Sequence, residues 1–278
     1  MRAAAFQFDV RRGDVAANLA AVERGLGEAH ERGIELVVLP EMWPTSFVAD
    51  GDPVEWQRET DVALERVREL SRQLGLVVAG SASGASAGCA PRNRLTVFDR
   101  GERVLVYDKL HLFSPTAEAE SFSGGDALPP TVPLRLGKLA GVVCYDLRFG
   151  MALRAPLLDG AEILVVPAQW PGTRATHWRA LVCGRAAELQ AFVVATNRTG
   201  TDLVGRRRLE LAFAGNSLIA GPDGVVLAEG RGADGLVEAQ LDLEAVRSLR
   251  RAVPVRDDER RDVYGPPGRP ASPRARPG

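Results

Sequence analysis

Three residues with chemically reactive side chains each follow an apolar run that is typical of a buried strand. Glu41 comes after "LVVLP", Lys109 after "VLVYD" and Cys144 after "LAGVV". In α/β folds the carboxyl ends of neighbouring strands open onto a shared crevice, which is where such folds place their sites. If the three strands are neighbours, an acid, an amine and a thiol meet in one crevice.

A thiol needs a base before it attacks an amide, because a free cysteine with a pKa of about 8.5 is only a few per cent thiolate at neutral pH. His30 falls on a predicted solvent-facing helix, which leaves His111 and His177 as candidate histidine bases. A buried glutamate can also take this role, and an ammonium can stabilise the negative oxygen that forms on the substrate. The backbone N–H of Tyr145, at the start of the next predicted helix, is placed to donate to the same oxygen.

The elements that must position these residues alternate between strands and helices. Apolar runs at 3–8 and 34–40 enclose one amphipathic segment, and a second such segment spans 61–74. Turn signals at Gly101 and Gly137 predict hairpins in the middle of the chain. This mixture predicts an α/β fold of layers built around two sheets, not one open sheet.

The composition excludes several classes of function. The 278 residues carry 35 basic and 36 acidic side chains, a formal charge of -1, which gives no electrostatic case for nucleic acid or an anionic membrane as a partner. The three cysteines lack the spacing of a disulfide framework. No apolar run approaches about 18 residues, and the N-terminus lacks a signal-peptide pattern. We therefore expect a cytoplasmic protein with a small-molecule substrate.

Three sequence blocks carry a resemblance to a known family. "LPEMWPTSF", "YDKLHLF" and "GVVCYDLRF" resemble, in order and approximate spacing, the signature blocks of the nitrilase superfamily of carbon-nitrogen hydrolases. The resemblance extends over about residues 1–264, which we interpret as a single domain, and leaves a Pro-, Gly- and Arg-rich tail at 265–278 that is expected to be disordered. It implies a four-layer α-β-β-α sandwich of two packed mixed sheets, and a homodimer or larger homo-oligomer.

The resemblance also implies roles for individual residues. By position, Glu41 is the general base, Lys109 the oxyanion-stabilising amine and Cys144 the nucleophile of a Glu-Lys-Cys triad. A further family glutamate, which orients the lysine or the substrate amine, falls on Glu118, with Glu120 as the less favoured register. The implied reaction passes through a cysteine thioester and releases ammonia, with no metal and no cofactor.

The sequence around the nucleophile indicates a branch of the superfamily. "CYDLRF" resembles the block of omega-amidases and deaminated-glutathione amidases, which hydrolyse the terminal amide of small carboxylate-bearing substrates. Arg148 is the candidate partner of that carboxylate, because guanidinium groups form bidentate pairs with carboxylates, and Trp170 is a candidate pocket residue. Gln169 and Leu189 stand where the family usually has asparagines, so they bear on the specificity.

Other interpretations stay open on the sequence alone. The same triad fits an N-carbamoyl amide hydrolase or another amidase of the superfamily, and a non-catalytic binding subunit would keep the fold. A papain-like thiol hydrolase would instead use His111 or His177 as its base. Of the remaining cysteines, Cys183 is interpreted as a structural residue on a helix and Cys89 as an exposed loop thiol.

Overall fold

The computed structural model covers most of the chain, and the residues that it describes are 1–48, 53–86, 90–205, 208–260 and 263. The predictions for Cys89 and for the tail at 265–278 lie outside these ranges. No helix in the described ranges is long and apolar enough to cross a lipid bilayer.

The strands and helices alternate along the chain much as the apolar runs predict. The strands are β1 (Arg2–Gln7), β2 (Leu36–Val38), β3 (Val77–Gly84), β4 (Arg92–Asp99), β5 (Glu102–Asp108), β6 (Thr131–Leu134), β7 (Gly137–Gly141), β8 (Ile163–Ala168), β9 (Phe192–Asn197), β10 (Thr199–Val204), β11 (Leu209–Ala214), β12 (Leu218–Ala220), β13 (Val226–Glu229) and β14 (Gly235–Gln240). The helices are α1 (Val15–Glu31), α2 (Pro53–Leu74), α3 (Gly150–Asp159), α4 (Ala175–Leu189), α5 (Leu243–Ala252) and α6 (Val255–Asp258).

Two six-stranded sheets repeat the same pattern. The first has the order β14-β1-β2-β3-β4-β5, with β1, β2 and β3 parallel and the outer strands antiparallel. The second has the order β13-β12-β9-β8-β7-β6, with β7, β8 and β9 parallel in its centre. Both sheets are therefore mixed, and each brings the carboxyl ends of three parallel strands to one edge.

Alternation of side chains along the strands divides the first sheet between two cores. Ala3 and Ala5 of β1 belong to the cluster that lies between the sheets, whereas Ala4 and Phe6 pack in a second cluster with residues of α1 and α2. On the far side of the second sheet, Trp178 and its neighbours on α4 join the central cluster. Helices thus cover the outer faces of two packed sheets, and the predicted four-layer α-β-β-α sandwich is confirmed.

Several local signals act as the sequence predicts. Asp14 caps α1, since its carboxylate accepts from the Ala17 N–H at 3.0 Å. Gly101 and Gly137 take φ values of +86° and +115° in the two hairpin turns, where a residue with a Cβ would be strained. The hairpin of β10 and β11 is not predicted by the sequence patterns. The helix predicted to begin at Tyr145 is instead the 3-10 helix Cys144–Arg148, which is followed by α3 from Gly150.

Gly141, three residues before Cys144, lies where the two sheets come close. A Cβ at this position would be 2.4 Å from Leu95 Cδ2, on the opposite sheet, and 2.9 Å from Val165 Cγ2. We predict that Gly141→Ala lowers the free energy of unfolding by about 1–3 kcal/mol, because the core must shift to admit the methyl group. Urea denaturation followed by circular dichroism measures the change.

The matched control is Gly184→Ala on α4, where a Cβ would meet no atom within 4 Å. This substitution should leave stability unchanged or raise it by up to about 1 kcal/mol through helix propensity. A Gly141→Ala protein as stable as the wild type would mean that the sheets do not approach each other as closely as described.

Candidate active site

A fully buried lysine occupies the centre of the site. Lys109 follows β5, and its Nζ lies 2.8 Å from Glu41 Oε1 and 2.8 Å from Glu118 Oε2. None of the three residues is more than 4% exposed. Burial alone would lower the pKa of Lys109, but the carboxylates of Glu118 and Glu41 outweigh it and raise that pKa, so the side chain is an ammonium.

The Glu41 carboxylate is held on both of its oxygens. Oε1 accepts from Lys109 and from Asn93 Nδ2, the latter at 2.8 Å, and Oε2 accepts from the Gln169 backbone N–H at 2.9 Å. Asn93 Nδ2 also lies 3.2 Å from Glu118 Oε1, so one buried amide ties the two carboxylates together. Asn93 is not among the residues that the sequence predicts for the site; its signal is its place in β4, beside the strand that leads to Lys109.

Of the two registers considered for the fourth residue, the structure brings Glu118 and not Glu120 to the lysine. Glu118 is buried and accepts from Lys109 Nζ and from the Phe113 backbone N–H, at 2.6 Å. Glu120 is exposed to solvent. Ala117, at φ +55°, makes the turn that places Glu118 inside the site.

Cys144 faces this charged cluster from the second sheet. Burial raises the pKa of its thiol well above the usual value, and the Glu41 carboxylate raises it further, while the Lys109 ammonium and the Gln169 backbone N–H act in the opposite direction. The thiol is therefore protonated at neutral pH. Its proton must leave before the sulfur can attack a carbonyl carbon.

The backbone at Cys144 adopts an uncommon conformation. Its φ of +46° lies in the left-handed region, which non-glycine residues rarely enter and which concentrates at functional sites. The residue begins the 3-10 helix Cys144–Arg148. Fully buried Asp146 braces this turn, because its carboxylate accepts from the Val143 N–H at 3.3 Å, the His111 N–H at 2.9 Å and the Tyr107 hydroxyl at 2.9 Å.

The two candidate histidine bases are engaged elsewhere. His111 Nδ1 lies 2.8 Å from Asp146 Oδ1, and its ring stacks on Phe149 at 3.6 Å between centroids. His177 Nδ1 lies 3.3 Å from Arg148. Among the described residues that line the pocket around Cys144, neither histidine is present. The arrangement does not fit a papain-like mechanism.

The pocket around Cys144 has about 440 Å³ of empty space, which includes the open solvent at its mouth. Its walls combine the charged cluster with aromatic rings and two arginines. Three residues predicted from the sequence line the pocket: Tyr145, Arg148 and Trp170. The lining also includes Phe47, Phe113 and Arg174.

The two arginines lie against aromatic faces. The guanidinium of Arg148 is 4.8 Å from the ring of Trp170, and that of Arg174 is 5.7 Å from the ring of Phe113. Within the described residues, neither guanidinium forms an ion pair with a carboxylate. Arg174 is not predicted from the sequence, because its distance to the pocket depends on how the loop after β8 folds.

The two departures from the family pattern have different environments. Gln169 contacts Glu41 through its backbone and through its side chain, whose Nε2 donates to the Glu41 carbonyl at 2.8 Å. Leu189 ends α4 in the central hydrophobic cluster. Cys183 is a half-buried free thiol on the same helix. In the described part of the chain, no group of three or more His, Cys, Asp or Glu side chains is arranged to hold a metal ion.

The chain belongs to the carbon-nitrogen hydrolase family, whose model matches residues 2–251. It is 32% identical over 260 residues to the 2-oxoglutaramate amidase of Bacillus subtilis (strain 168), which covers 93% of this chain and 97% of the relative. It is 28% identical over 269 residues to the N-carbamoylputrescine amidase of Arabidopsis thaliana, with 90% of each chain covered.

A solved structure adds chemical information. A Glu-to-Gln mutant of the amidase from Nesterenkonia sp. AN1 superposes with a TM-score of 0.82 at 25% identity, covering 95% of each chain, and its active-site cysteine carries the acetamide moiety of fluoroacetamide. The resemblance to the nitrilase superfamily is confirmed. The protein is an amidase with a Glu-Lys-Cys triad that hydrolyses amides through a cysteine nucleophile.

The electrostatics of the site give a first prediction. In Glu41→Gln, Cys144 should ionise at a lower pH than in the wild type, because the carboxylate that raises the pKa of the thiol is gone while the Lys109 ammonium remains. The ultraviolet absorbance of the thiolate, taken as a difference from the matching Cys144→Ala protein, follows the titration.

Glu120→Gln is the control, since it removes an exposed carboxylate nearby in the sequence and should leave the titration unchanged. If Glu41→Gln leaves the ionisation of Cys144 unchanged or moves it to higher pH, the carboxylate does not act on the sulfur.

Proposed function

We propose that this amidase is an omega-amidase, which hydrolyses the terminal amide of a small carboxylate-bearing substrate. One observation carries the proposal. The pocket that contains Cys144 also contains Arg148 and Arg174, whose guanidinium groups form no ion pair with a carboxylate among the described residues. Guanidinium is the side-chain group best suited to bind a carboxylate in a planar, bidentate pair.

The charge of the pocket supports the same substrate class. Its ionised lining groups are two carboxylates, Glu41 and Glu118, and three cations, Lys109, Arg148 and Arg174. The pocket therefore has one positive charge in excess, since the thiol is protonated. A substrate with one carboxylate neutralises this excess, whereas a substrate with a free ammonium adds to it.

In the first half of the proposed reaction, Glu41 accepts the thiol proton and the Cys144 sulfur attacks the amide carbon. The resulting oxyanion is held by the Lys109 ammonium and by the Tyr145 backbone N–H. The Lys109 ammonium donates to Glu41 Oε1 and lies within 3.0 Å of both Glu118 oxygens. When one N–H is shared between the two Glu118 oxygens, the third N–H is left for the substrate oxygen. Glu41 then returns the proton to the nitrogen, the C–N bond breaks, and ammonia leaves a thioester behind.

In the second half, water attacks the thioester. Glu41 accepts a proton from the water, and the same two donors hold the second oxyanion. The C–S bond breaks, the sulfur takes up the proton from Glu41, and the carboxylic acid product leaves. Glu118 touches Lys109 but not the sulfur in this scheme, so it orients the ammonium, while Arg148 and Trp170 contact the far end of the substrate.

The relatives support this assignment. The Bacillus subtilis relative is named for 2-oxoglutaramate, which carries a terminal amide and a carboxylate. The Nesterenkonia amidase carries an adduct on its active-site cysteine in an E41Q mutant, which is consistent with a cysteine nucleophile.

The second candidate function is hydrolysis of an N-carbamoyl amine, for which the Arabidopsis thaliana relative is named. N-carbamoylputrescine carries a free ammonium at its far end. Two arginines lining the pocket would repel that charge. The observation that favours the omega-amide is thus the sign of the charge around the substrate site.

We further propose that the protein works in the cytoplasm as a homodimer or larger homo-oligomer, and that residues 1–264 form its single domain. The support for this assembly is membership of the family, whose resemblance implies it.

A panel of substrates tests the proposed function. We expect ammonia release from succinamate and 2-oxoglutaramate, with a kcat/KM at least about tenfold above that for the methyl ester of succinamate, because the ester lacks the carboxylate that the arginines bind. N-carbamoylputrescine should be a poorer substrate than either. Equal rates for the acid and its ester, or faster turnover of the carbamoyl amine, would contradict the proposal.

The contribution of Arg148 can be separated from catalysis. We expect Arg148→Met to raise KM for succinamate about 10- to 100-fold through loss of a charge-assisted pair, with little effect on the neutral ester. The matched control is Arg179→Met on α4, whose guanidinium is exposed and lies 3.2 Å from Glu229. Equal losses for acid and ester in Arg148→Met would assign this arginine a structural role instead.

A further inference from the structure

A second charged cluster, built around a buried arginine and adjoining the active site through Gln169, involves Asp202 and the exposed Asp9. Arg198, which follows β9, is 1% exposed. Its Nη1 lies 2.8 Å from Asp202 Oδ2, and its Nη2 lies 2.9 Å from Asp9 Oδ1 and 2.6 Å from the Val10 carbonyl. The proposed reaction uses none of these groups. Burial of a guanidinium costs free energy of desolvation, and only well-placed partners offset that cost.

The side chain of Gln169 connects this cluster to Glu41. Gln169 Oε1 lies 3.3 Å from Arg198 Nη1, and Nε2 donates to the Glu41 carbonyl at 2.8 Å. Ser46 Oγ is also 3.3 Å from Gln169 Oε1, but its single hydrogen is directed at Asp202 Oδ2, at 2.5 Å. The amide orientation is fixed by these partners, because the reverse orientation would point its NH₂ at a guanidinium.

The backbone N–H of Gln169 affects both reacting groups. Its N–H donates to Glu41 Oε2 at 2.9 Å and also acts on the Cys144 sulfur. The position of this one N–H therefore affects the direction of the Glu41 carboxylate and the distance between base and thiol. The side chain of Gln169 fixes the position of this residue by accepting a hydrogen bond from Arg198.

We propose that Arg198 is a positioning residue for the hydrolysis: through the side chain of Gln169 it fixes the Gln169 N–H against Glu41 and Cys144, and so holds the base in line with the nucleophile. This inference rests on the role proposed for Glu41. It assigns a role to Gln169, where the family usually has asparagine, and to a cluster that touches neither substrate nor thiol.

A double-mutant cycle tests the proposal. Gln169→Met removes the amide and keeps the length of the side chain, and Arg198→Lys keeps the charge beside Asp202 but withdraws the Nη1 contact. Each single variant should lower kcat by about tenfold or more, because small displacements of reacting groups cost large factors in rate, with KM for succinamate within about twofold of the wild type. The double variant should lose no more than the worse single variant, since both act through one contact.

The matched control is Gln190→Met. Gln190 is a buried glutamine whose amide donates to the Val253 carbonyl at 2.9 Å, away from the pocket. If loss of any buried glutamine lowered kcat by loosening the fold, Gln190→Met would also have a lower kcat. The proposal predicts a wild-type kcat for Gln190→Met. If Arg198→Lys does not fold, Asp202→Asn takes its place in the cycle, because it removes the carboxylate that anchors the guanidinium.

The titration of the Cys144 thiol separates this inference from the substrate assignment, because it needs no substrate. The ionisable groups that act on the thiol are Glu41 and Lys109, which are unchanged in every variant. Gln169→Met and Arg198→Lys should each move the titration to higher pH, since displacement of the Gln169 N–H weakens its lowering of the thiol pKa. Folded variants with wild-type kcat and titration, or rate losses that multiply in the double variant, would overturn the proposal. Failure of the omega-amide panel alone would not.

Discussion

The site depends on one interaction, the contact of a fully buried ammonium with two buried carboxylates. Removal of one partner from such a group costs about 3–5 kcal/mol, because the remaining charge is left unpaired away from water. The folded chain therefore keeps Lys109 in contact with both Glu41 and Glu118. The same cluster sets the state of Cys144, whose thiol stays protonated until a base removes its proton.

The sandwich brings this cluster to the nucleophile from two directions. Glu41 and Lys109 follow strands of the first sheet, whereas Cys144 and Gln169 follow β7 and β8 of the second. The Cys144 thiol therefore comes close to the charged side chains of Glu41 and Lys109 only when the two sheets pack face to face. Close approach at Gly141, where no side chain separates the sheets, is part of that geometry. The active site is therefore complete only when the core between the sheets is packed.

The sequence predicts the layers and the three central residues because each signal is local. An apolar run that ends in Glu41 or Cys144 is visible without any knowledge of its neighbours in space. Asn93 and Arg198 acquire their roles from partners 52 and 152 residues away, such as Glu41 and Ser46, and no local pattern reports such pairings. The helix predicted at Tyr145 proves to be a 3-10 helix before α3 begins, and the contacts of Asp146 with Tyr107 and His111 that brace this turn are likewise distant in sequence.

The most direct measurement is the mass of the enzyme during turnover. Acid quenching of the reaction with succinamate, followed by intact and peptide mass analysis, should find the succinyl group, the substrate less ammonia, on Cys144. Turnover without an acyl adduct on this residue, or with the adduct on Cys183, would contradict the account, because the buried ammonium would then be serving some other chemistry.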